Sequence, residues 1–152
     1  MRGTGLLDGW LAAMPPVAAM QVRTAGDDAD AAVLRLRAPL SANVNDKACA
    51  FGGSLASIMT LAGWGWLMLR LHAAGHVAGV YVADSQVRYL APLYDDLVAE
   101  ARLADGQDWD AIARLYASRG RARATMSSRV LDAAGTPVAT LDARFALLRP
   151  GG

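Results

Sequence analysis

The chain has 152 residues, of which 54% are hydrophobic and 19% charged. That is one domain's length with enough apolar material for a real core, which excludes a disordered or acidic-tail protein. A net charge of +1 gives no long-range field for nucleic acid or an anionic membrane, and a single Cys excludes an internal disulfide or a multi-cysteine metal site.

Met1 to Gly9 holds one arginine and no long apolar run. It makes a poor secretory signal, so a cytoplasmic location is expected. Leu6 to Met14 repeats apolar residues at three- and four-residue spacing and predicts a short amphipathic helix, stopped by Pro15-Pro16. Val17 to Thr24 predicts a strand, and Gly26-Asp27-Asp28 a turn. Ala31 to Ala38 alternates, with Ala32, Leu34 and Leu36 on one face, as a half-buried strand does. Pro39 to Ala50 is irregular and polar. A long apolar helix is predicted from about Gly53 to Ala74, ended by Gly75. Gly79 to Leu90 reads as a strand broken by Pro92, and Leu97 to Leu103 as another. Trp109 to Ser118 predicts a short helix. Arg121 to Leu131 and Val138 to Leu147 predict a hairpin around Asp132-Ala133-Ala134-Gly135.

Ala48 to Leu69 is 22 residues without a charge, the length of a membrane span. Its glycines and hydroxyl residues, and the amphipathic strands elsewhere, favour a different explanation. An all-round apolar helix is also what a sheet wrapped around it requires. Consecutive strands with one long helix predict an α+β domain spanning residues 1–152.

Several segments then carry a resemblance: Pro39-Leu40-Ser41-Ala42-Asn43-Val44-Asn45-Asp46-Lys47, Ala50-Phe51-Gly52-Gly53-Ser54, Leu61-Ala62-Gly63-Trp64-Gly65, and Ala83 through Pro92. They resemble the hotdog-fold thioesterase superfamily. More narrowly, they are similar to the thioesterase domain that in some bacteria follows a GNAT acetyltransferase domain, here in a stand-alone version. The resemblance implies about six antiparallel strands wrapped around one helix and a homodimer or homotetramer joined through sheet edges. It implies acyl-CoA or an acyl-carrier protein as the partner, with coenzyme A entering only as part of the substrate.

Gly52-Gly53 opens the long helix. A helix start has unpaired N–H groups and a positive dipole end, and glycine lets a carbonyl oxygen approach them closely. An oxyanion formed from a thioester would be stabilised there. The competing reading is a tight turn or close packing. Asn45 matches a position that places water or the carbonyl in related thioesterases, and equally suits a turn. Phe51 stands where relatives often carry His, and Ser54 follows in the first turn. Thr60 stands where many relatives carry an acid. It cannot act as a carboxylate base, but can bond a water, the carbonyl or its own helix backbone.

If a carboxylate is needed, Asp46 and Asp84 are the remaining candidates, and each is read either as the base or in a structural role such as half of an ion pair. Asp84 is disfavoured in mid-strand unless something holds it there. Ser85 follows it as a substrate-binding candidate. Arg121 and Arg123, with Arg119 and Arg129, suit the phosphates of coenzyme A or an acidic carrier, or else a solvated strand face. Met59, Trp64, Trp66 and Met68 are read as core, acyl tunnel, or both. Cys49 with a histidine and a metal at His72 and His76 are disfavoured, the former by roughly 30 Å of helix.

The expected activity is thioester hydrolysis without a metal or redox cofactor. The alternatives are a non-catalytic acyl-binding module, a membrane-inserted chain, and a dehydratase, which Phe51 disfavours by replacing its usual histidine.

Overall fold

The computed structural model describes residues 3–28 and 32–151. The elements run α1 (Thr4–Ala12), α2 (Pro15–Met20), β1 (Arg23–Asp28), β2 (Val33–Ala38), α3 (Gly52–Ala73), β3 (Gly79–Tyr89), β4 (Leu97–Leu103), α4 (Trp109–Arg119), β5 (Arg121–Leu131) and β6 (Pro137–Leu148). All strands join one antiparallel sheet in the order β1-β2-β4-β5-β6-β3. The sheet packs on α3, giving the expected α+β hotdog arrangement.

Two early expectations are corrected. Val17 to Met20 is helical rather than extended, because the prolines that end α1 occupy the first positions of α2, where a missing N–H costs nothing. Gly26-Asp27-Asp28 belongs to β1 rather than to a turn. Gly26 absorbs a register shift there with φ 142°, so the glycine bends a strand instead of ending it. Ala31 lies outside the described residues, and the second strand begins at Val33.

The alternation of the strands becomes layering. Leu34 and Leu36 of β2, Leu97 and Ala99 of β4, Met126 and Val130 of β5, and Leu141 and Phe145 of β6 are buried toward α3. Burying each large side chain contributes about 1.5–3 kcal/mol. Gly63 brings α3 close to the sheet, since a Cβ there would lie 3.1 Å from Phe145 and 3.2 Å from Met126. Eleven α3 residues are buried, Leu55, Ile58, Met59, Trp66 and Leu67 among them. The chargeless stretch is therefore the core, and no helix among the described residues is long and apolar enough to cross a membrane.

At the far end of α3 the last carbonyls are met from within the chain, beside a surface cavity lined by Leu6, Leu69, Arg70 and His72. Gly75 at φ 81° lets its N–H reach His72 O at 3.0 Å while His76 N–H reaches Leu71 O at 2.9 Å. Arg70 lies over the Trp66 ring, His72 packs edge-on against Trp10, and His76 against Tyr116.

β3 differs from the other long strands. It pairs only with β6, which leaves its second edge open. From Tyr81 to Gln86 every residue is exposed, and Tyr89 is exposed as well.

Candidate active site

The polar loop before α3 is tightly built. Val44 bridges to Ala50, and Asn45 N–H donates to Cys49 O at 2.8 Å. Asn45 Oδ1 accepts from the N–H of Lys47 at 2.7 Å and of Cys49 at 3.1 Å, and its Nδ2 donates to Cys49 Sγ at 3.2 Å. The carboxamide thus holds the loop through its own backbone, as asparagine does in turns. Ala48 takes φ 63° within this loop. Asp46, beside it, is exposed, and among the described residues its carboxylate meets the neighbouring Lys47 alone, at 3.1 Å.

Asn43 is a residue whose importance the sequence does not single out. It is 3% exposed, and its Nδ2 donates to both Met20 O and Pro39 O at 2.9 Å. Its own carbonyl accepts from Phe51 N–H at 2.7 Å. Its side chain thus ties the end of α2 to the Pro39 turn, while its backbone carbonyl holds the entrance of α3; the side-chain Oδ1 is buried without a protein partner among the described residues. Its appearance in a loop already rich in Asn gives no separate signal.

The chain passes from this loop into α3 through Phe51, whose side chain gives no cap to the helix. The first-turn N–H groups of Gly52, Gly53 and Ser54 therefore receive no side-chain cap from Phe51, at the positive end of the dipole. Gly53 is exposed and Ser54 is buried. The Phe51 ring rests on Gly53, so close that a Cβ at Gly53 would lie 2.5 Å from Phe51 Cε2. On the other side the Tyr89 hydroxyl donates to Gly52 O at 3.1 Å. Phe51 and Tyr89 are 55% and 57% exposed, so they form walls rather than a plug. Tyr89 is the other residue missed in the sequence, where it reads as one more strand aromatic.

From Gly53 a stripe of incompletely buried residues runs along α3 through Ser57, Thr60, Leu61, Trp64 and Met68. The four aromatic and methionine candidates divide accordingly. Met59 and Trp66 are core, while Trp64 and Met68 lie on the stripe. Thr60 donates to Ala56 O at 2.8 Å, bonding its own helix one turn back.

The remaining candidates are not brought to the helix start. Asp84 and Arg144 face each other across β3 and β6 in a two-point ion pair on the sheet face turned away from α3. The Arg144 hydrogen bond holds the Asp84 carboxyl below its ordinary range, desolvation opposes this, and the charges of Arg144 and Arg123 reinforce it. The same pair raises Arg144. Ser85 pairs with Ala143 and so takes the opposite, α3-facing side of β3. Arg121 and Arg123 project from β5 on the outer face, and Arg129 is tied to Glu100 at 2.6 Å. Cys49 and the two histidines stand at opposite ends of a 22-residue helix, about 33 Å long, so they form no dyad within one chain.

Comparison with known proteins agrees with this architecture. A protein of unknown function, OLEI01261, from Chlorobaculum tepidum TLS superposes with a TM-score of 0.89 at 24% identity, over 96% of this chain and 94% of that one. A protein from Shewanella oneidensis described as a putative thioesterase gives a TM-score of 0.83 at 26% identity, over 95% and 96% of the two chains. A Pseudomonas aeruginosa protein described as a probable thioesterase gives 0.78 at 22% identity, with 95% of each chain covered. The family described as "Putative thioesterase (yiiD_Cterm)" matches residues 4–149. With nearly the whole chain inside that match, the protein belongs to this thioesterase family.

Proposed function

We propose that the protein hydrolyses acyl thioesters, with coenzyme A or an acyl-carrier protein as the thiol half. The observation that supports this most directly is the start of α3: exposed glycine backbone, no side-chain cap, and aromatic walls on two sides. A thioester carbonyl seated there receives N–H donors and the helix dipole. Those interactions strengthen as the oxyanion forms, which is the condition for catalysis rather than mere binding. The acyl chain follows the stripe through Thr60, Trp64 and Met68. Thr60 contributes a methyl and a spent hydroxyl, not a base.

Asp46 is the acid we assign to activating water. It is exposed in the loop that leads into the helix, whereas Asp84 is held by Arg144 on the far side of the sheet. Asn45 acts by fixing the loop that carries Asp46. A second copy completes the site in this reading. The open edge of β3 and the exposed α3-facing side around Ser85 and Tyr89 suit antiparallel addition of another β3, which removes an otherwise unpaired edge.

The test is thiol release from a series of acyl-CoA esters by purified protein, with Gly53→Leu as the variant. Substitution displaces the Phe51 ring and blocks the donors, but the position is exposed, so the fold survives. Turnover is expected to fall at least ~100-fold, the typical loss when an oxyanion donor goes. Unchanged turnover in a folded Gly53→Leu protein would remove the assignment.

One observation favours a second reading, a non-catalytic acyl-binding module: Thr60 replaces an acid and bonds its own helix. A thermal shift on adding acyl-CoA, with no thiol released at any chain length, would select that reading.

A further inference from the structure

At the opposite end of the molecule from the α3 start, α4 and the outer face of the sheet enclose a groove. Leu115 of α4 and Ala146 and Leu148 of β6 form an apolar floor, and the groove has a volume of about 530 Å³. Leu115 and Leu148 are 40% and 42% exposed and line the same groove. Arg119, Arg121 and Arg123 rim the groove. Arg149 joins them, because its guanidinium packs on Gly120 and its backbone N–H donates to Gly120 O at 2.9 Å. Gly120 permits both the turn, at φ 72°, and this contact.

None of the four arginines has an ion-pair partner among the described residues. The nearest acid in register, Asp84, is already engaged by Arg144. Arg123 feels the Asp84 charge, but without a direct ion pair; in a chain of net charge +1, these guanidinium groups around an apolar floor still form a marked local asymmetry.

We propose that this groove docks an acidic, amphipathic helix of a protein that carries the acyl group on a flexible arm, namely an acyl-carrier protein. The apolar floor takes the helix's hydrophobic positions and the rim takes its carboxylates in two-point contacts, for which arginine is suited. A second copy of the chain does not fit, since a twofold contact would set the same arginines against each other. Coenzyme A alone uses phosphates but leaves the apolar floor unfilled. A flat anionic membrane does not enter a groove walled by a helix.

The placement also suits delivery. Within one chain the groove and the start of α3 are separated by about the length of that helix, ~33 Å. If two β3 edges pair antiparallel, however, the Gly79 end of one strand lies beside the Tyr89 end of the other. Along the sheet the groove then stands two or three strand spacings, about 10–15 Å, from the second copy's β3, with about 10 Å more through the sheet to that copy's helix start. The inference rests on the proposed thioester activity for the nature of the cargo, but not for the docking itself.

The experiment separates the two. Full-length protein is titrated with holo acyl-carrier protein bearing no acyl group, and thiol release from acyl-CoA is measured independently. Binding is expected, weakening about tenfold or more at high salt. It is expected to weaken at least tenfold in Arg119→Glu/Arg149→Glu and again in Leu115→Glu, each checked for unchanged circular dichroism. Carrier binding without any hydrolysis supports the groove and counts against the hydrolase reading. Hydrolysis of acyl-CoA with no carrier binding overturns the groove alone. Equal binding by all variants, or binding only to anionic vesicles or nucleic acid, also overturns it.

Discussion

The two ends of α3 differ in what covers them. At the carboxyl end, Trp66, Arg70, His72 and His76 stack with Trp10, Trp109 and Tyr116, and Gly75 turns the chain so that the last carbonyls are satisfied. At the amino end there is no side-chain cap, two glycines, and a pair of exposed rings. Both ends are the termini of one helix with the same backbone needs. Where stability is served, those needs are met from within the chain. At the amino end, where we propose that the thioester binds, no side chain caps them.

If that contrast is right, substitutions at the two ends should register in different measurements. Trp66→Ala should show the largest change. The ring is 2% exposed, its Nε1 donates to Ala32 O at 2.8 Å, and it supports both Arg70 and Trp109. A loss of about 3–5 kcal/mol is expected, read as a fall of roughly 10 °C in melting temperature. Asp46→Asn should do the reverse. Melting should be nearly unchanged, because the carboxylate is exposed, while kcat should fall about 100-fold as general-base help is lost. A loss of melting temperature in Asp46→Asn with turnover intact would erase the contrast.

Asp84→Asn tests the outer face. The pairing with Arg144 lowers the Asp84 pKa in the folded state. Its contribution to stability is therefore present above the ordinary carboxylate pKa and fades as pH falls through the lowered value. The variant should lose that acid-side dependence and little else. Its thioester turnover should stay close to wild type, in contrast to Asp46→Asn, which parallel initial-rate measurements would check. Thr60→Val should show the smallest effect. Its hydroxyl already bonds Ala56 O, so a change in turnover within about threefold is expected, and a much larger loss would return Thr60 to the chemistry.

Much of the architecture was legible because hydrophobic period translates directly into layers. The hairpin strand Arg121 to Leu131 and the start of β3 at Gly79 fall where alternation places them. The early misreadings have a local cause. Pro15-Pro16 is both a stop for the preceding helix and a permitted start for the next, and the residues alone do not rank the two. Gly26 followed by two acids looks like a turn until a neighbouring strand supplies a partner.

The candidate site was legible only in part. Residue type alone singled out Gly52-Gly53 as its candidate centre. The orientation of Asp84 depended on a register shift between Val82 and Asp84, which no pattern in the segment displays. Asn43 and Tyr89 act through contacts 23 and 37 residues distant in sequence, and such pairings are written in the fold rather than in the neighbourhood.

The bare rim of β3 also bears on handling and abundance. An 11-residue row of backbone donors and acceptors with no lysine or proline to discourage visitors is a template for any extended segment that drifts past. A solution dilute enough to strip away whatever normally lies along that rim should make the molecule stickier, not safer, and a short peptide copying β3 should poison it at concentrations where denaturants do nothing.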